Sequence, residues 1–150
     1  MGVSGLTFSI KSATEEDIRL HLLKCSDQFD PPLDQRVDIE EYSKKLLNKS
    51  VTFEAWRGGT LVGLLAAYFD DPENRPGFIT NVSVTSEESG QGVASELMNM
   101  CIQFAKVRKV WEIEIEVSKN SQAAVHLYRK FGFEDARHTE ESLFLKLVNP

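Results

Sequence analysis

The feature that most constrains this chain is a strand followed by a glycine-bearing loop and an amphipathic helix. The strand is predicted from Phe78 to Thr85, the loop has the sequence SGQGVAS from Ser89 to Ser95, and the helix runs from Val93 to Val107. The first N–H groups of a helix have no partner inside it and lie at the positive end of its dipole. Glycines let an anion approach these groups closely. The segment therefore predicts either a phosphate site or only a tight turn.

Two common phosphate motifs are absent from this segment. The dinucleotide fingerprint needs a third glycine in the first strand–helix–strand unit and an acidic residue about 20 positions later. The P-loop needs a Lys followed by Ser or Thr, and no such pair is present here. The glycine pattern alone does not decide between the two interpretations.

A second pattern lies further along the chain. Asn120 precedes a predicted helix from Ser121 to Phe131, and Gly132 follows it. Asn is a favourable N-cap residue, and Gly is favourable just after a helix end. Ala124 and Tyr128 are four residues apart, so they share one helix face. For Tyr128 the alternative to a site residue is a core residue with a hydrogen-bonded hydroxyl.

The rest of the chain completes an α/β (α+β) order of elements. Alternating runs predict strands, and capped amphipathic runs predict helices. Further strands are predicted at Leu6–Ile10, Val51–Trp56, Leu61–Phe69, Trp111–Val117, Glu134–Arg137 and Ser142–Val148, further helices after Thr14 and at Ile39–Leu47, and loops at Phe29–Val37 and Asp70–Gly77. This order predicts one domain over residues 1–150, with a mixed, mostly antiparallel sheet and one parallel crossover.

Together the two patterns resemble the GNAT superfamily of N-acetyltransferases, closely from Phe78 to Phe133 and loosely along the whole chain. The resemblance implies a central sheet of about six to seven strands flanked by about four helices. It also implies that the strands at Phe78–Thr85 and Trp111–Val117 separate to admit acetyl-CoA, with the glycine loop at its pyrophosphate. Tyr128 is the implied catalytic residue, beside the thioester sulfur. The implied cofactor-binding residues are Val82, Val84, Ser89, Gly90, Gln91, Gly92, Val93, Ala94, Ser95 and Asn120.

The implied reaction is direct attack of an amine on the thioester. Main-chain N–H groups near Val82 meet the developing negative charge, and Tyr128 protonates the leaving thiolate. The candidate bases are Glu54, Glu114 and Glu116, although the pattern favours a solvated strand face for each of them. The segment between the first two helices covers the acceptor in this family. Its charged residues are Asp30, Asp34, Arg36 and Asp38.

The chain also departs from the usual family pattern. Ser89 stands where Arg or Gln is common, and Thr80 lies near a position where many members carry a Glu base. Glu87 and Glu88 precede the loop, and their charge predicts repulsion of a pyrophosphate and weaker cofactor binding. The histidines His21, His126 and His138 are isolated in sequence and are assigned no role.

Composition limits the remaining functions. A net charge of -6 over 150 residues argues against nonspecific nucleic-acid binding. No apolar run has the ~20 residues of a membrane helix, and Cys25 and Cys101 lack metal-site spacing. We expect a cytoplasmic N-acetyltransferase for a small-molecule amine (amino sugar, amino acid or polyamine), with a possible homodimer and no metal. The alternatives are an acetyltransferase for protein N-termini or lysines and a non-catalytic coenzyme-A-binding sensor.

Overall fold

The computed structural model describes residues 5–69 and 77–150. The strands are β1 (Thr7–Ile10), β2 (Val51–Arg57), β3 (Thr60–Tyr68), β4 (Gly77–Val84), β5 (Glu112–Ser118), β6 (Glu134–His138) and β7 (Ser142–Val148). The α-helices are α1 (Glu15–Cys25), α2 (Leu33–Arg36), α3 (Ile39–Lys49), α4 (Val93–Val107) and α5 (Gln122–Lys130), with 3-10 turns at Ser26–Gln28 and Ser86–Glu88. The loop predicted at Asp70–Gly77 lies outside the described residues except for Gly77.

The strands form one sheet in the order β1-β2-β3-β4-β5-β7-β6. Neighbours are antiparallel except β4 and β5, which run parallel. Helix α4 is the crossover between these two strands. The predicted mixed, mostly antiparallel sheet with one parallel crossover is therefore confirmed.

Helices cover both faces of this sheet. Alternate residues of a strand point to opposite faces, and β3 follows this rule. Leu64 and Ala66 pack with α1 and α3, whereas Leu65 and Ala67 pack with α4. Gly63 is required at one contact, because a Cβ there would lie 2.8 Å from Cγ1 of Val93 in the first turn of α4. The close approach of β3 fixes where α4 begins.

Local sequence explains how the helices begin. Thr14 forms a capping box with Asp17, in which each side chain accepts from the other residue's N–H. Asp38 accepts from the N–H of Glu41 at the start of α3. Such a cap stabilises a helix by about 1 kcal/mol. Both predicted helix starts are confirmed.

The predicted loop at Phe29–Val37 differs in one respect. Its second half contains the single helical turn α2, in which the N–H of Val37 donates to the carbonyl of Leu33. Pro32 has a φ of -51°, and a proline with this φ suits the start of a helical turn. Leu33 is buried beneath α1 and α3. Periodicity does not reveal so short a turn.

None of the described helices combines the length and the apolar character needed to cross a bilayer.

Candidate active site

The site begins where β4 and β5 separate. The two strands pair only from Gly77 with Ile113 to Ile79 with Ile115. The register between β3 and β4 then shifts between Ala66 and Ala67, which leaves Thr80 as an extra residue. Such a bulge increases the local bend of a strand. Beyond it a cavity of about 350 Å³ opens between the two strands.

The main chain of β4 presents polar groups to this gap. The N–H of Thr85 donates to the carbonyl of Val62 on β3. Since bonded and non-bonded positions alternate along an antiparallel pair, Ser83 and Asn81 also direct their main-chain groups to β3. Val82 and Val84 therefore direct theirs toward the gap, as the resemblance implies. Val82 also lines the cavity.

The glycine loop has the conformation of an anion site. Gly90 and Gly92 have φ values of +79° and +84°, and a Cβ at either would meet open space. Gly92 is the N-cap residue of α4, and no side chain caps this helix. The first N–H groups of α4 are therefore free of side-chain partners at the positive end of a helix of 15 residues. These groups fit a phosphate.

The other predicted loop residues surround this helix start. Val93 is buried in the core and holds the loop against β3. Ser89 is exposed, and Gln91, Ala94 and Ser95 are partly exposed. The Gln91 side chain donates to the carbonyl of Glu87 at 3.4 Å. The loop is thus open to solvent on one side and packed on the other.

The two acidic residues before the loop are each paired with a cation. Glu88 is 5% exposed and accepts from Nε and Nη2 of Arg57, at 2.6 and 3.0 Å. Glu87 lies 3.3 Å from Nζ of Lys24. Hydrogen bonding by Arg57 lowers the pKa of the Glu88 carboxyl. The pKa of the Glu87 carboxyl is lowered by a hydrogen bond from its own main-chain N–H and then by Lys24. Each acidic residue thus has a cationic partner, Glu88 in a mostly buried position and Glu87 in an exposed pair, and the expected repulsion of a pyrophosphate stays a prediction.

Tyr128 lies in the wall of the cavity. The side chain is 5% exposed, lines the cavity and packs against the ring of Phe133. Its hydroxyl makes no hydrogen bond to the described residues. Burial raises the pKa of the phenol, so the group keeps its proton at neutral pH and remains able to donate it.

Asn120 differs from its predicted position. The N-cap residue of α5 is Ser121, and it forms no side-chain cap bond. The Asn120 amide instead donates to Oδ2 of Asp30 at 2.9 Å. The bond joins the turn before α5 to the segment between α1 and α2, and Asp30 and Ser121 both line the cavity. Asn120 therefore lies beside the cavity and does not line it, and its side chain is held by Asp30.

The three candidate bases have different environments. Glu54 is fully buried and accepts from Ser9, Ser12, Ala13 and Thr52, so it is a structural carboxylate.

Glu114 accepts two bonds from Arg137 at 2.8 and 2.9 Å and does not line the cavity. Glu116 lines the cavity and makes no hydrogen bond or ion pair within residues 5–69 and 77–150. Of the three, only Glu116 lines the cavity.

The four charged residues named above between α1 and α3 differ in whether they line the cavity. Asp30 and Arg36 line the cavity. Asp38 caps α3, and the main-chain N–H of Asp34 donates to the Ser26 hydroxyl at 3.0 Å. The cavity lining thus includes one arginine, Arg36, and three carboxylates, Asp30, Glu116 and Glu141.

Sequence reasoning missed a polar chain beneath the cavity. His21, in α1, lies 2.9 Å from Oγ of Ser83 through Nε2, and Ser83 contacts the amide of Asn81 at 2.9 Å. Asn81 lines the cavity. The sequence signal for these buried contacts was the presence of two polar residues, Asn81 and Ser83, at alternate positions of β4. His21 is therefore not isolated.

The thiols take no part in this site. Burial raises the pKa of Cys25 to about 11 and that of Cys101 to about 12. Cys25 has a histidine neighbour, because its Sγ lies 3.7 Å from Nε2 of His21. Among the described residues there is no group of three or more possible metal ligands.

Comparison with known proteins identifies the family. The model of the acetyltransferase (GNAT) family matches residues 16–133. N-acetyltransferase 8F1 of Rattus norvegicus is 32% identical over 117 residues, which are 75% of this chain and 53% of that protein. The chain therefore spans about half the length of the curated relatives it matches.

Solved structures share the fold. The ribosomal-protein-S18-alanine N-acetyltransferase of Escherichia coli aligns with a TM-score of 0.76 at 16% identity, over 95% of this chain and 94% of the other. A GNAT family acetyltransferase of Elizabethkingia anophelis, solved with acetyl-CoA bound, aligns with a TM-score of 0.70 at 16% identity, over 97% and 99%. The chain belongs to the acetyltransferase (GNAT) family.

Proposed function

We propose that this chain is an acetyl-CoA-dependent N-acetyltransferase that acts on a primary amine of a small molecule: an amino sugar, an amino acid or a polyamine. The observation that carries the proposal is the cavity between the separated ends of β4 and β5, with Tyr128 in its wall. Main-chain groups line one side of this cavity, and charged acceptor-side residues line another. Family membership supports the same chemistry.

The glycine loop supplies the binding site for the cofactor. The free N–H groups at the start of α4 bind the pyrophosphate, and the left-handed Gly90 and Gly92 leave room for it. When bound, acetyl-CoA supplies a thioester-activated acetyl group. The main-chain N–H of Val82 stabilises negative charge on the carbonyl oxygen in the transition state.

Two side chains move protons. Glu116 takes a proton from the ammonium group of the acceptor, directly or through water, because its carboxylate is at the cavity and unpaired. Tyr128 donates its hydroxyl proton to the departing thiolate. The raised pKa of Tyr128 ensures that this proton is present at neutral pH.

The mouth of the cavity favours a small acceptor. The bond from Asn120 to Asp30 connects the segment after α1 to the turn before α5, which narrows access from that side. A peptide chain would need this contact to open. A protein acceptor is the second candidate, since the E. coli structural neighbour is a ribosomal-protein-alanine N-acetyltransferase.

Two measurements test the proposal. Calorimetry with acetyl-CoA should give saturable binding, and a thiol-release assay across amino sugars, amino acids, polyamines and peptides should find turnover on a small amine. Turnover on peptides alone would favour the protein acceptor. Binding without turnover on any of these would favour a coenzyme-A sensor, and failure to bind acetyl-CoA would refute all three.

A further inference from the structure

One residue of β4 has no partner residue on either neighbouring strand. In the pairing of β4 with β3, successive residues of β3 lie opposite Ile79 and Asn81, and Thr80 between them is extra. The pairing of β4 with β5 ends at Ile79. Since main-chain polar groups at such a position are not matched by a regular ladder, they need partners from elsewhere in the protein or from water.

The extra residue changes which side each later residue of β4 faces. In a regular strand, residues three positions apart point to opposite faces of the sheet. Ile79 and Val82 nevertheless both pack against the core cluster that contains α4. Main-chain groups alternate in step with side chains, and a shift by one residue reverses both. The insertion of Thr80 therefore decides that Val82 directs its N–H toward the gap.

The Tyr42 side chain of α3 holds this extra residue through two hydrogen bonds. Its hydroxyl oxygen lies 3.1 Å from the carbonyl oxygen of Thr80 and 2.9 Å from Oγ1 of the same residue. A carbonyl oxygen only accepts, so the single proton of the phenol goes to the carbonyl, and Oγ1 of Thr80 donates to the phenol oxygen. Burial raises the pKa of Tyr42, so the phenol proton is present at neutral pH.

The tyrosine is itself held in place by its helix. Asp38 caps the start of α3, and Ile39 and Leu46 are buried. The Tyr42 ring packs against the core cluster that contains these two residues. Thr80 lines the cavity and Tyr42 does not. The phenol therefore holds the cavity wall without contacting a ligand in the cavity.

We propose that Tyr42 is a positioning residue for acetyl transfer: its bonds to Thr80 hold the bulge that directs the main-chain N–H of Val82 into the cavity. This inference rests on the proposed function, in which that N–H stabilises negative charge on the carbonyl oxygen in the transition state. A donor of this kind is effective because its direction is fixed before the reaction. Without the phenol hydroxyl, the Thr80 carbonyl loses its partner, and we expect the bulge to relax.

The variants for the tests differ from wild type by one hydroxyl each. Tyr42→Phe removes the phenol hydroxyl and keeps the ring, so its packing and its ring-current effects on neighbouring protons are retained. Ser43→Ala is the matched control, because it removes a buried hydroxyl from the next position of α3. That hydroxyl donates to the carbonyl of Ile39, within the helix.

The first test needs neither ligand nor turnover. Nitrogen-15 NMR of the ligand-free proteins reports the environment of each main-chain N–H. We expect the Val82 amide signal to shift in Tyr42→Phe and to keep its wild-type position in Ser43→Ala. An unshifted Val82 signal in Tyr42→Phe would overturn the proposal, because the phenol would then have no influence on the direction of that N–H.

The second test compares acetyl-CoA with CoA, which lacks the acetyl carbonyl. In calorimetry, Tyr42→Phe should weaken acetyl-CoA binding about three-fold, the scale of one hydrogen bond, and leave the Kd of CoA unchanged. The carbonyl stretch of bound acetyl-CoA, isolated by carbon-13 labelling, should lie at higher frequency in the variant, because a weaker hydrogen bond polarises the carbonyl less. An equal loss of affinity for both ligands would indicate a merely structural role and overturn the proposal.

Kinetics separate this inference from the proposed function. The kcat of Tyr42→Phe should fall about ten-fold, less than the loss of 100-fold or more that follows outright removal of such a donor, and Ser43→Ala should keep the wild-type kcat. A Tyr42→Phe enzyme with wild-type kcat would overturn the inference and leave the acetyltransferase standing. A wild-type protein that acetylates no amine would refute the proposed function instead. Unchanged CoA affinity in Tyr42→Phe guards against misfolding.

Discussion

Arg57 and Glu88 form a two-bond ion pair that connects the turn between β2 and β3 to the segment before the glycine loop. Glu88 is 5% exposed and directly precedes Ser89, the first residue of the glycine loop. Two parallel N–H bonds fix orientation as well as distance. We therefore expect this acid to hold the glycine loop in place, although its charge alone would oppose a pyrophosphate.

The direction in which Glu88→Gln changes the affinity for acetyl-CoA distinguishes these two roles. If Glu88 positions the loop, Glu88→Gln should weaken acetyl-CoA binding several-fold, because Arg57 loses its charged partner. If Glu88 merely repels phosphate, the same change should tighten binding. Calorimetry with acetyl-CoA measures the difference. Acetyl-pantetheine, which lacks the pyrophosphate, should bind both proteins equally, and Lys24→Gln, which removes an exposed pair, is the control.

Tyr128→Phe tests the proposed general acid. General acid catalysis contributes about 100-fold or more to rate, so kcat should fall by about that factor. The Kd of acetyl-CoA should stay constant because the ring and its contact with Phe133 are retained. Thiol release and calorimetry on the same preparation measure both. Tyr68→Phe is a matched control outside the cavity lining, and an undiminished kcat in Tyr128→Phe would exclude the role.

The two glutamates of β5 make a matched pair for the proposed base. Glu116→Gln should lower kcat/KM for the amine about 100-fold, the scale of general base catalysis. Glu114→Gln should have little effect on rate, because its carboxylate is bonded to Arg137 away from the cavity. The thiol-release assay at pH 7 compares them. Equal losses in both variants would point to a change in strand β5 and would contradict the assignment.

Glu54→Gln should lower the free energy of unfolding and leave kcat unchanged. The Glu54 carboxylate accepts from the N–H groups of Ser12 and Ala13 and from the hydroxyl of Thr52. A glutamine NH2 cannot accept these bonds, so the free energy of unfolding should fall by about 3 kcal/mol. Urea unfolding measures the loss. If folded Glu54→Gln enzyme at low temperature lost its kcat, the carboxylate would instead belong to the catalytic machinery.

His21 should make folding sensitive to mild acid. Burial lowers the pKa of His21 from 6.5 to about 4. Between these two pH values the unfolded chain binds a proton on His21 and the folded protein does not. Its contribution to stability is complete above the unfolded pKa and declines as pH falls toward 4. The loss approaches about 3 kcal/mol. Urea titrations from pH 7 to 4 should show a steeper decline for wild type than for His21→Gln, and parallel declines would contradict this.

The sequence by itself determined the secondary-structure elements. Helix α4 carries an unbroken apolar stripe and follows Gly92, and β5 alternates strictly, so local propensity and tertiary packing agree at both elements. The family resemblance led to the prediction that Tyr128 and the glycine loop serve the cofactor, because both patterns consist of residues close together in the chain. The separation of β4 from β5 was likewise implied by the resemblance and is confirmed by their short pairing.

Tertiary structure alone decided which polar groups meet across the fold. Asn120 was predicted as a cap, but it bonds Asp30, 90 residues away. Glu88, in the 3-10 turn after β4, meets Arg57 at the end of β2, and His21 in α1 meets Ser83 in β4. Nothing local distinguishes these side chains from solvated ones, because a hydrogen bond between distant residues depends on where the sheet and helices bring them. The acceptor side of the cavity is built from such contacts, and therefore only the folded chain reveals it.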